Sequence, residues 1–364
     1  MKIVIDLTSL SYHMTGIERY ASCISEKMLA HDSKNEYFLL FRNDVYPSFS
    51  CYIDNERIKP IVLYGNNKLI FLQVILPKVL NSIKADKYLF FAFPSPLFFR
   101  KKGIVNTIHD MGAWDSAETM KLFQKIYWRT AIRVSSKRSE RIITVSNFSK
   151  TRITEILKYP IKKIDVVYSA VDEMIKKDFG YSFAYIRNMY SLPDRYIMAL
   201  STLEPRKNIA LLLEAFKKIQ DKVDYDLVLV GRKGWMIDEI IEKYNYNGRI
   251  HITGFVKDQH VSLIYKNAMC FVFPSLYEGF GLPPVEALSL GTPVISSNAA
   301  SLPEVLRKQA FFFSSNDINA LESLLVDLEK KLPNMPHGLD EYQKQNFRFD
   351  ESALKILNII GKSS

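Results

Sequence analysis

The stretch CFVFPSLYEGFGLPPVEALSLGTPVISS, residues 270–297, carries the pattern that decides the fold. It begins with four apolar residues, which are typical of a buried strand, and continues through a loop with two glycines. Pro283 and Pro284 mark the first turn of a helix, because proline is favoured there, and Gly291 ends that helix before the next apolar run. Strand, loop, helix and strand in this order indicate a parallel sheet covered by helices.

The same alternation of apolar runs and helical periodicity continues along both halves of the chain. In the first half, strands are predicted at 2–7, 37–41, 61–64, 88–93, 104–109, 141–146 and 165–169, and helices at 17–30 and 118–139. In the second half, strands are predicted at 196–201, 226–230, 249–253, 270–273 and 293–296, and helices at 207–219, 236–244, 258–267, 284–290 and 317–330.

The length of 364 residues exceeds what one hydrophobic core usually supports, so two domains are expected. The segment 176–194 interrupts the pattern and is interpreted as a linker. We expect a Rossmann-like domain over 1–185, a second one over 190–345, and a final helix over 346–364 that returns to the first domain. These two doubly wound α/β domains are expected to face each other across a cleft, and ligands of such sheets bind at the carboxyl ends of the strands.

The net charge is divided unevenly between the two halves. The whole chain carries +10, yet residues 1–190 contain 29 Lys and Arg against 18 Asp and Glu, and residues 191–364 contain 20 against 21. A basic surface fits nucleic acid, an anionic membrane or phosphorylated substrates. The surplus positive charge therefore lies in the first half alone, and an anionic partner that it attracts would bind that half.

Residues 118–141 are interpreted as the main basic element. Apolar side chains alternate there with a cation at every fourth residue, namely Lys121, Lys125, Arg129, Arg133 and Lys137. Like charges repel at this spacing, so an anionic partner would relieve them, and the mixture suits a helix on an anionic bilayer. The alternative is a solvated face of an ordinary surface helix.

The cysteine content and the apolar runs indicate the cellular compartment in which the protein works. The three cysteines are far apart and form neither a disulfide framework nor a zinc motif, which favours a reducing cytosol. The start of the chain lacks the features of a signal peptide, and the apolar run 88–99 is too short to span a bilayer. The sequence therefore predicts a cytoplasmic protein that can lie against a membrane.

Glu278 and Glu286 are the first pair of candidate site residues. They bracket the glycine-rich loop, one at its start and the other one turn into the helix, so both can point to the same ligand. The loop backbone and the helix N-terminus can bind a phosphate or a sugar hydroxyl. The alternative for Glu286 is that it caps its helix as part of a capping box.

Arg206 and Lys207 are the second pair. They follow a predicted strand and open a helix, where cations oppose the helix dipole and so require another reason to be present. Together they can neutralise a diphosphate. The only DxD sequence considered as a metal motif, Asp224–Asp226, precedes its strand and is interpreted as a turn, so metal-independent chemistry is expected.

Gly16 and His109 are the candidates in the first half. Gly16 lies between the first strand and its helix, where a glycine allows close approach of a ligand, although a simple turn explains it equally. His109 ends a predicted strand and faces the proposed ligand edge; a structural histidine is the alternative.

Nearly the whole chain resembles the retaining glycosyltransferases of family four, which have the GT-B fold. Glu278 to Glu286 looks like the E-x7-E signature of that family. Further matching motifs occur in the family's order: TGIERYA at 15–21, IHD at 108–110, TVSNFS at 144–149, SAVD at 169–172, LEPRKN at 203–208, GRKGW at 231–235, ITGFV at 252–256 and SLPEV at 301–305.

The resemblance implies a role for each candidate. Arg206 and Lys207 would stabilise the leaving diphosphate, and Glu278 with the amides of Phe280 and Gly281 would hold the sugar hydroxyls. Further positions implied to bind the donor are Gly16 at the diphosphate, Leu282, Glu286 at the ribose, and Phe255 and Val256 beside the base. His109 would lie beside the transferred sugar. No cofactor is implied besides the nucleotide-sugar substrate, for which GDP-mannose is the first expectation and a UDP-sugar or dTDP-rhamnose the alternative.

The resemblance also implies partners and a place in the cell. The acceptor would be a lipid-diphosphate-linked oligosaccharide of bacterial O antigen, and the enzyme would be peripheral on the inner face of the cytoplasmic membrane. Two other classes remain open: a non-catalytic protein that binds nucleic acid through its basic half, and a sugar phosphorylase of the same fold. No nucleic-acid-binding signature and no pyridoxal phosphate lysine is visible, so neither partner is expected.

Overall fold

The computed structural model describes residues 1–12, 14–200, 205–231 and 248–362. The chain divides into two compact units: residues 1–170 with the C-terminal segment from Gln345, and Val171–Lys344. The division after Ala170 places the segment that was interpreted as a linker, together with its helix Phe183–Tyr190, in the second unit.

The first unit is built on a parallel sheet of seven strands in the order β3-β2-β1-β4-β5-β6-β7. The strands are β1 Lys2–Asp6, β2 Glu36–Arg42, β3 Ile58–Leu63, β4 Lys87–Phe90, β5 Ile104–Thr107, β6 Arg141–Thr144 and β7 Ile164–Val166. Its helices are Gly16–His31, Lys68–Ile70, Leu76–Ser82, Gly112–Asp115, Leu122–Arg138, Asn147–Leu157 and Phe349–Gly361, with a π-turn at Phe71–Ile75.

The second unit is built on a parallel sheet of six strands in the order β10-β9-β8-β11-β12-β13. The strands are β8 Tyr196–Leu200, β9 Asp226–Val230, β10 Ile250–Gly254, β11 Cys270–Phe273, β12 Val294–Ser297 and β13 Phe311–Phe313. The helices are Phe183–Tyr190, Ile209–Ile219, Asp258–Asn267, Leu282–Ser289, Leu302–Leu306, Ile318–Val326, Leu328–Lys331 and Glu341–Asn346, the last of which crosses into the C-terminal segment. Short 3-10 turns complete both units.

Both sheets are doubly wound, which confirms the predicted fold class. Strand order reverses between β1 and β4 in the first sheet and between β8 and β11 in the second. The loops that leave two such neighbouring strands diverge to opposite faces, so a crevice forms at the carboxyl ends of the strands. These two reversal points are where ligands are expected.

Most predicted strands and helices are observed within a few residues of their predicted bounds. The strand predicted at 88–93 ends at Phe90, because prolines follow at 94 and 96, and the helix predicted at 118–139 begins only at Leu122. The strand Phe311–Phe313 was not predicted. The predicted helix 236–244, most of the GRKGW motif and the first two residues of LEPRKN lie outside the described residues.

The C-terminal helix Phe349–Gly361 packs against the helix Gly16–His31 of the first unit. Asp350 accepts from His31 Nε2 at 2.8 Å and pairs with Lys27 at 3.1 Å, while Phe349 makes an edge-to-face contact with Tyr20. The first unit is therefore assembled from both ends of the sequence.

Candidate active site

The strand reversal of the second sheet brings the two charged motifs together. The 3-10 turn Pro205–Lys207 follows β8, and the loop 274–281 follows β11. The amide of Leu276 donates to the carbonyl of Arg206 at 2.9 Å, so backbone hydrogen bonding fixes one loop against the other.

Glu278 is the centre of this arrangement. Its carboxylate accepts from Lys207 Nζ at 2.7 Å and lies 3.5 Å from the Arg206 guanidinium, which also donates to the Tyr277 carbonyl at 2.9 Å. Burial alone would raise the pKa of Glu278, but the nearby charges of Lys207 and Arg206 outweigh it and lower the pKa below its ordinary value of 4.5. Two cations therefore converge on one buried carboxylate.

Three buried serines hold Glu278 in position. Ser275 donates to the Glu278 carboxylate at 2.6 Å, Ser297 donates to the Ser275 carbonyl at 2.5 Å, and Ser301 donates to the Glu278 carbonyl at 3.0 Å. Each of these side chains is fully buried. None of the three is among the predicted site residues, although Ser301 opens the SLPEV motif and Ser275 and Ser297 lie after β11 and at the end of β12.

Gly281 turns the chain from the loop into the helix Leu282–Ser289. Its φ of 91° lies in the left-handed region, and an added Cβ would stand 2.5 Å from Leu302 Cδ2. Both observations require glycine here. Phe280 is buried beside it, and Leu282 is the first helical residue, so all three predicted loop positions lie at this helix N-terminus.

Glu286 lies on the same helix and is buried. It is the fifth residue of the helix, whereas a capping box uses the third, and the N-cap is Gly281, which has no side chain. The capping alternative is therefore wrong. The hydroxyl of Tyr265, from the helix Asp258–Asn267, lies 3.5 Å from the Glu286 carboxylate.

Phe255 and Val256 follow β10, the edge strand of the second sheet. The Phe255 side chain is half exposed, while Val256 is buried. Gly254 before them has a φ of 69° and so makes the turn at the carboxyl end of the strand. An apolar ring at this end of the sheet is a surface on which a nucleobase can stack.

His109 lies at the carboxyl end of β5 in the first sheet. Its Nε2 donates to the Phe91 carbonyl at 2.8 Å, since a carbonyl can only accept, and Tyr20 packs edge-on against the imidazole with 5.1 Å between centroids. Burial lowers the pKa of His109 below 6.5, against the opposing effects of the Phe91 hydrogen bond and Asp110. The ring is thus neutral near pH 7, and its Nδ1 is an acceptor.

Gly16 begins the helix Gly16–His31, which follows β1. Thr15 precedes it, and the Thr15 amide donates to the Glu18 carboxylate at 2.8 Å, which caps the helix. An added Cβ at Gly16 would meet nothing within 4 Å. Nothing in the described part of the chain therefore demands glycine at this position on steric grounds.

The DxD sequence serves the protein's own structure. Asp224 pairs with Arg195, and Asp226, at the start of β9, accepts from Arg249 at 2.9 Å and His251 at 2.8 Å. Among the described residues, no three His, Cys, Asp or Glu side chains are grouped as a metal site would require.

A family comparison covers the unit that holds the charged motifs. Residues 190–346 match the family model described as "Glycosyl transferases group 1". This region is a glycosyl transferases group 1 domain. The resemblance to glycosyltransferases that the sequence motifs predict is confirmed for this domain.

Curated relatives extend the likeness over most of the chain. It is 29% identical over 344 residues to the O-antigen chain mannosyltransferase B of Escherichia coli, with 90% of each chain covered. It is 27% identical over 252 residues to the O-antigen chain mannosyltransferase RfbU of Salmonella typhimurium, which covers 68% of this chain and 66% of the relative.

Solved structures share the fold of this chain. The structure of Alr3699/HepE from Anabaena in complex with UDP and glucose matches with a TM-score of 0.74 and 17% identity over the full length of both chains. WaaG, a glycosyltransferase involved in lipopolysaccharide biosynthesis, matches with a TM-score of 0.69 and 12% identity over 99% of this chain and 98% of the other. These likenesses confirm the predicted GT-B architecture.

Proposed function

We propose that this glycosyltransferase moves mannose from GDP-mannose to a growing O-antigen saccharide. The observation that carries the proposal is the pairing of Arg206 and Lys207 with the buried Glu278 at the strand reversal of the group 1 domain. The choice of mannose rests on the two O-antigen mannosyltransferases to which the chain is similar.

The charged pair suits the leaving diphosphate. Arg206 offers a planar fork of donors and Lys207 a point charge, and both contact Glu278. Such fixed charges act most strongly where negative charge develops in the transition state. We therefore assign the diphosphate to Arg206 and Lys207, without a metal ion.

The remaining residues position the sugar. Glu278 and the amides of Phe280 and Gly281 would hold its hydroxyls, Glu286 would accept from the ribose, and Phe255 and Val256 would border the base. In the retaining reaction, the acceptor hydroxyl attacks from the face that the diphosphate leaves, and a phosphate oxygen takes its proton. The protein then contributes orientation and charge stabilisation.

The acceptor belongs to the first unit in this proposal. Neutral His109 can accept from a hydroxyl of the sugar or acceptor through Nδ1. Gly16, at the start of its helix, would border the diphosphate of the donor. We take the acceptor to be a lipid-diphosphate-linked oligosaccharide at the inner face of the cytoplasmic membrane. None of the helices in the described residues is long and apolar enough to cross a bilayer.

A thermal-shift panel with GDP, UDP, dTDP and ADP tests the donor. A ligand that binds the folded state raises the melting temperature by mass action, and GDP is expected to give the largest shift. Glu286→Ala should reduce the shift, because the ribose loses its acceptor. Glu214→Ala, on the solvent face of the helix Ile209–Ile219, is the matched control and should leave the shift unchanged.

The four nucleotides also discriminate among the alternatives. A larger shift with UDP or dTDP would replace mannose with another donor but keep the transfer reaction. The absence of any shift would contradict the proposal. Steeply salt-dependent DNA binding that is retained in Glu278→Ala would instead support the non-catalytic class.

A further inference from the structure

The first unit exposes large apolar side chains on three segments of the chain. Leu122 and Phe123, in the first turn of the helix Leu122–Arg138, are 71% and 75% exposed, and Phe98 is 66% exposed. The other exposed apolar residues of this set are Leu69, Ile70, Val74 and Ile126. An exposed apolar set of this size marks an interaction surface, since soluble surfaces rarely carry one without a partner. We call these seven residues the apolar surface.

Contacts below the apolar surface hold its three segments together. Gln73, in the π-turn, accepts from the Leu97 amide at 2.9 Å and lies 3.5 Å from the Tyr127 hydroxyl of the helix Leu122–Arg138. Phe93 packs on Trp128 with 5.6 Å between ring centroids. The segments around Val74, Phe98 and Ile126 are therefore neighbours.

The helix Leu122–Arg138 contributes three apolar side chains to one face. Leu122 and Ile126 are four residues apart, and Phe123 and Ile126 are three apart, so all three stand on one side of the helix.

Part of the basic stripe predicted for this helix packs against the protein itself. Arg129 and Arg133 lie over the Trp114 ring at 5.6 and 5.3 Å, and Arg129 donates to the Ala113 carbonyl.

The segments that carry the apolar surface are basic in sequence. The ranges 57–85, 87–109 and 119–139 contain no aspartate or glutamate. The lysines on these segments closest in sequence to the apolar residues are Lys68, Lys101, Lys102, Lys121 and Lys125. Within the described part of the chain, none of these five lysines has an ion pair. The nearest acidic residue before Leu122 is the exposed Glu118, and the cations on these segments outnumber it, so the border favours an anionic partner.

We propose that the apolar surface inserts into an anionic lipid bilayer, with its lysines at the headgroups. This deepens the proposed function, because it states which face would bring the acceptor unit to a lipid-linked substrate. A bilayer accepts apolar side chains from three segments without requiring a complementary shape, while its phosphates pair with the lysines. A second copy of the chain would present the same basic border and would be repelled.

Vesicle flotation tests the insertion with the full-length protein and without any donor or acceptor. Vesicles of phosphatidylcholine with phosphatidylglycerol are expected to carry the protein, and phosphatidylcholine alone is expected to carry much less. The double variant L122S/F123S should weaken binding to the anionic vesicles by about a hundredfold, because each buried apolar side chain contributes about tenfold. K121Q and K125Q should each weaken it by about fivefold.

Ile161→Ser is the matched control. Ile161 is also exposed, in the same unit and beside Lys162 and Lys163, but on another segment. It should bind vesicles as the wild type does. Equal vesicle binding by L122S/F123S and the wild type would overturn the proposal. A wild-type dimer that becomes a monomer in L122S/F123S, with no vesicle binding by either, would overturn it in favour of self-association.

The result of the vesicle experiment can be distinguished from the result of the nucleotide panel. L122S/F123S should keep the wild-type melting temperature and the wild-type shift with GDP, since its substitutions are on the surface and outside the group 1 domain. Loss of vesicle binding with an intact nucleotide shift supports the insertion. Vesicle binding by the wild type without any nucleotide shift would leave the insertion standing and contradict the donor proposal.

Discussion

The carboxyl edges of the two sheets differ in charge: the second carries charged side chains and the first carries a neutral histidine. In the second sheet, two cations and a carboxylate are held in a network of buried serines. In the first sheet, a neutral histidine rests between a carbonyl and a tyrosine ring. The first edge can exchange hydrogen bonds with hydroxyl groups, and the second can stabilise a strong negative charge. The difference teaches that the charge at a candidate site need not follow the net charge around it, because the basic half of the chain places a neutral ring at its edge.

The largest expected effect is the loss of charge at the second edge. Lys207→Ala should reduce kcat/KM for transfer by about 10²–10³, the usual cost of removing one group that stabilises developing negative charge. Steady-state kinetics with the nucleotide sugar would measure it. Lys217→Ala, an exposed lysine on the next helix, should behave as the wild type. Similar activity in the two variants would contradict the assignment of the diphosphate.

The two candidate glycines provide the second test. Gly281→Ala should lower the free energy of unfolding by about 1–3 kcal/mol, because alanine is strained at positive φ and its Cβ clashes with Leu302. Gly16→Ala should raise it by up to about 0.5–1 kcal/mol, because alanine is the better helix former and has open space. Urea denaturation would measure both.

Activity separates the two roles of Gly16. If a ligand approaches its backbone, Gly16→Ala will transfer more slowly even though it is at least as stable as the wild type. Full activity in this variant would favour the simple turn.

A smaller effect is expected at His109. His109→Gln should reduce transfer by about tenfold, the worth of one hydrogen bond. Its pKa is lowered by burial, so the unfolded chain takes up the proton first as the pH falls. The stabilisation by neutral His109 is complete above pH 6.5 and is lost as the pH drops towards the folded-state pKa. Melting curves across this range should show a weaker acid destabilisation in His109→Gln.

The smallest effect is expected at Asp224. Asp224→Asn removes an exposed ion pair with Arg195, which should cost less than about 0.5 kcal/mol. Neither this variant nor a chelator should change transfer, in contrast to Lys207→Ala. A loss of activity on chelation, restored by a divalent cation, would contradict metal-independent chemistry.

Much of the second edge could be predicted because its residues are local in sequence. Glu278, Gly281 and Glu286 lie within a single strand, loop and helix, where turn and capping preferences act over a few residues. Arg206 and Lys207 could be predicted as site residues because they follow a predicted strand and open a helix.

The supporting residues could not be predicted in the same way. Ser297 and Ser301 reach the loop of Glu278 only because β12 pairs with β11. That pairing belongs to the tertiary structure and cannot be seen in the local sequence. Tyr20 contacts His109 although the two residues are far apart in the sequence of the first unit. Periodicity also placed a basic stripe on the helix Leu122–Arg138, but the position of Trp114 decides which cations reach solvent.

The return of the helix Phe349–Gly361 to the first unit has a consequence for biosynthesis. While the chain emerges from the ribosome, the helix Gly16–His31 lacks its partner, and the apolar face around Tyr20 stays uncovered until Phe349–Gly361 has been made. The first unit is thus completed only after the second unit has its whole sequence available. Premature termination near residue 345 would leave an intact sheet in the second unit beside an unfinished first one, a target for chaperones and proteases.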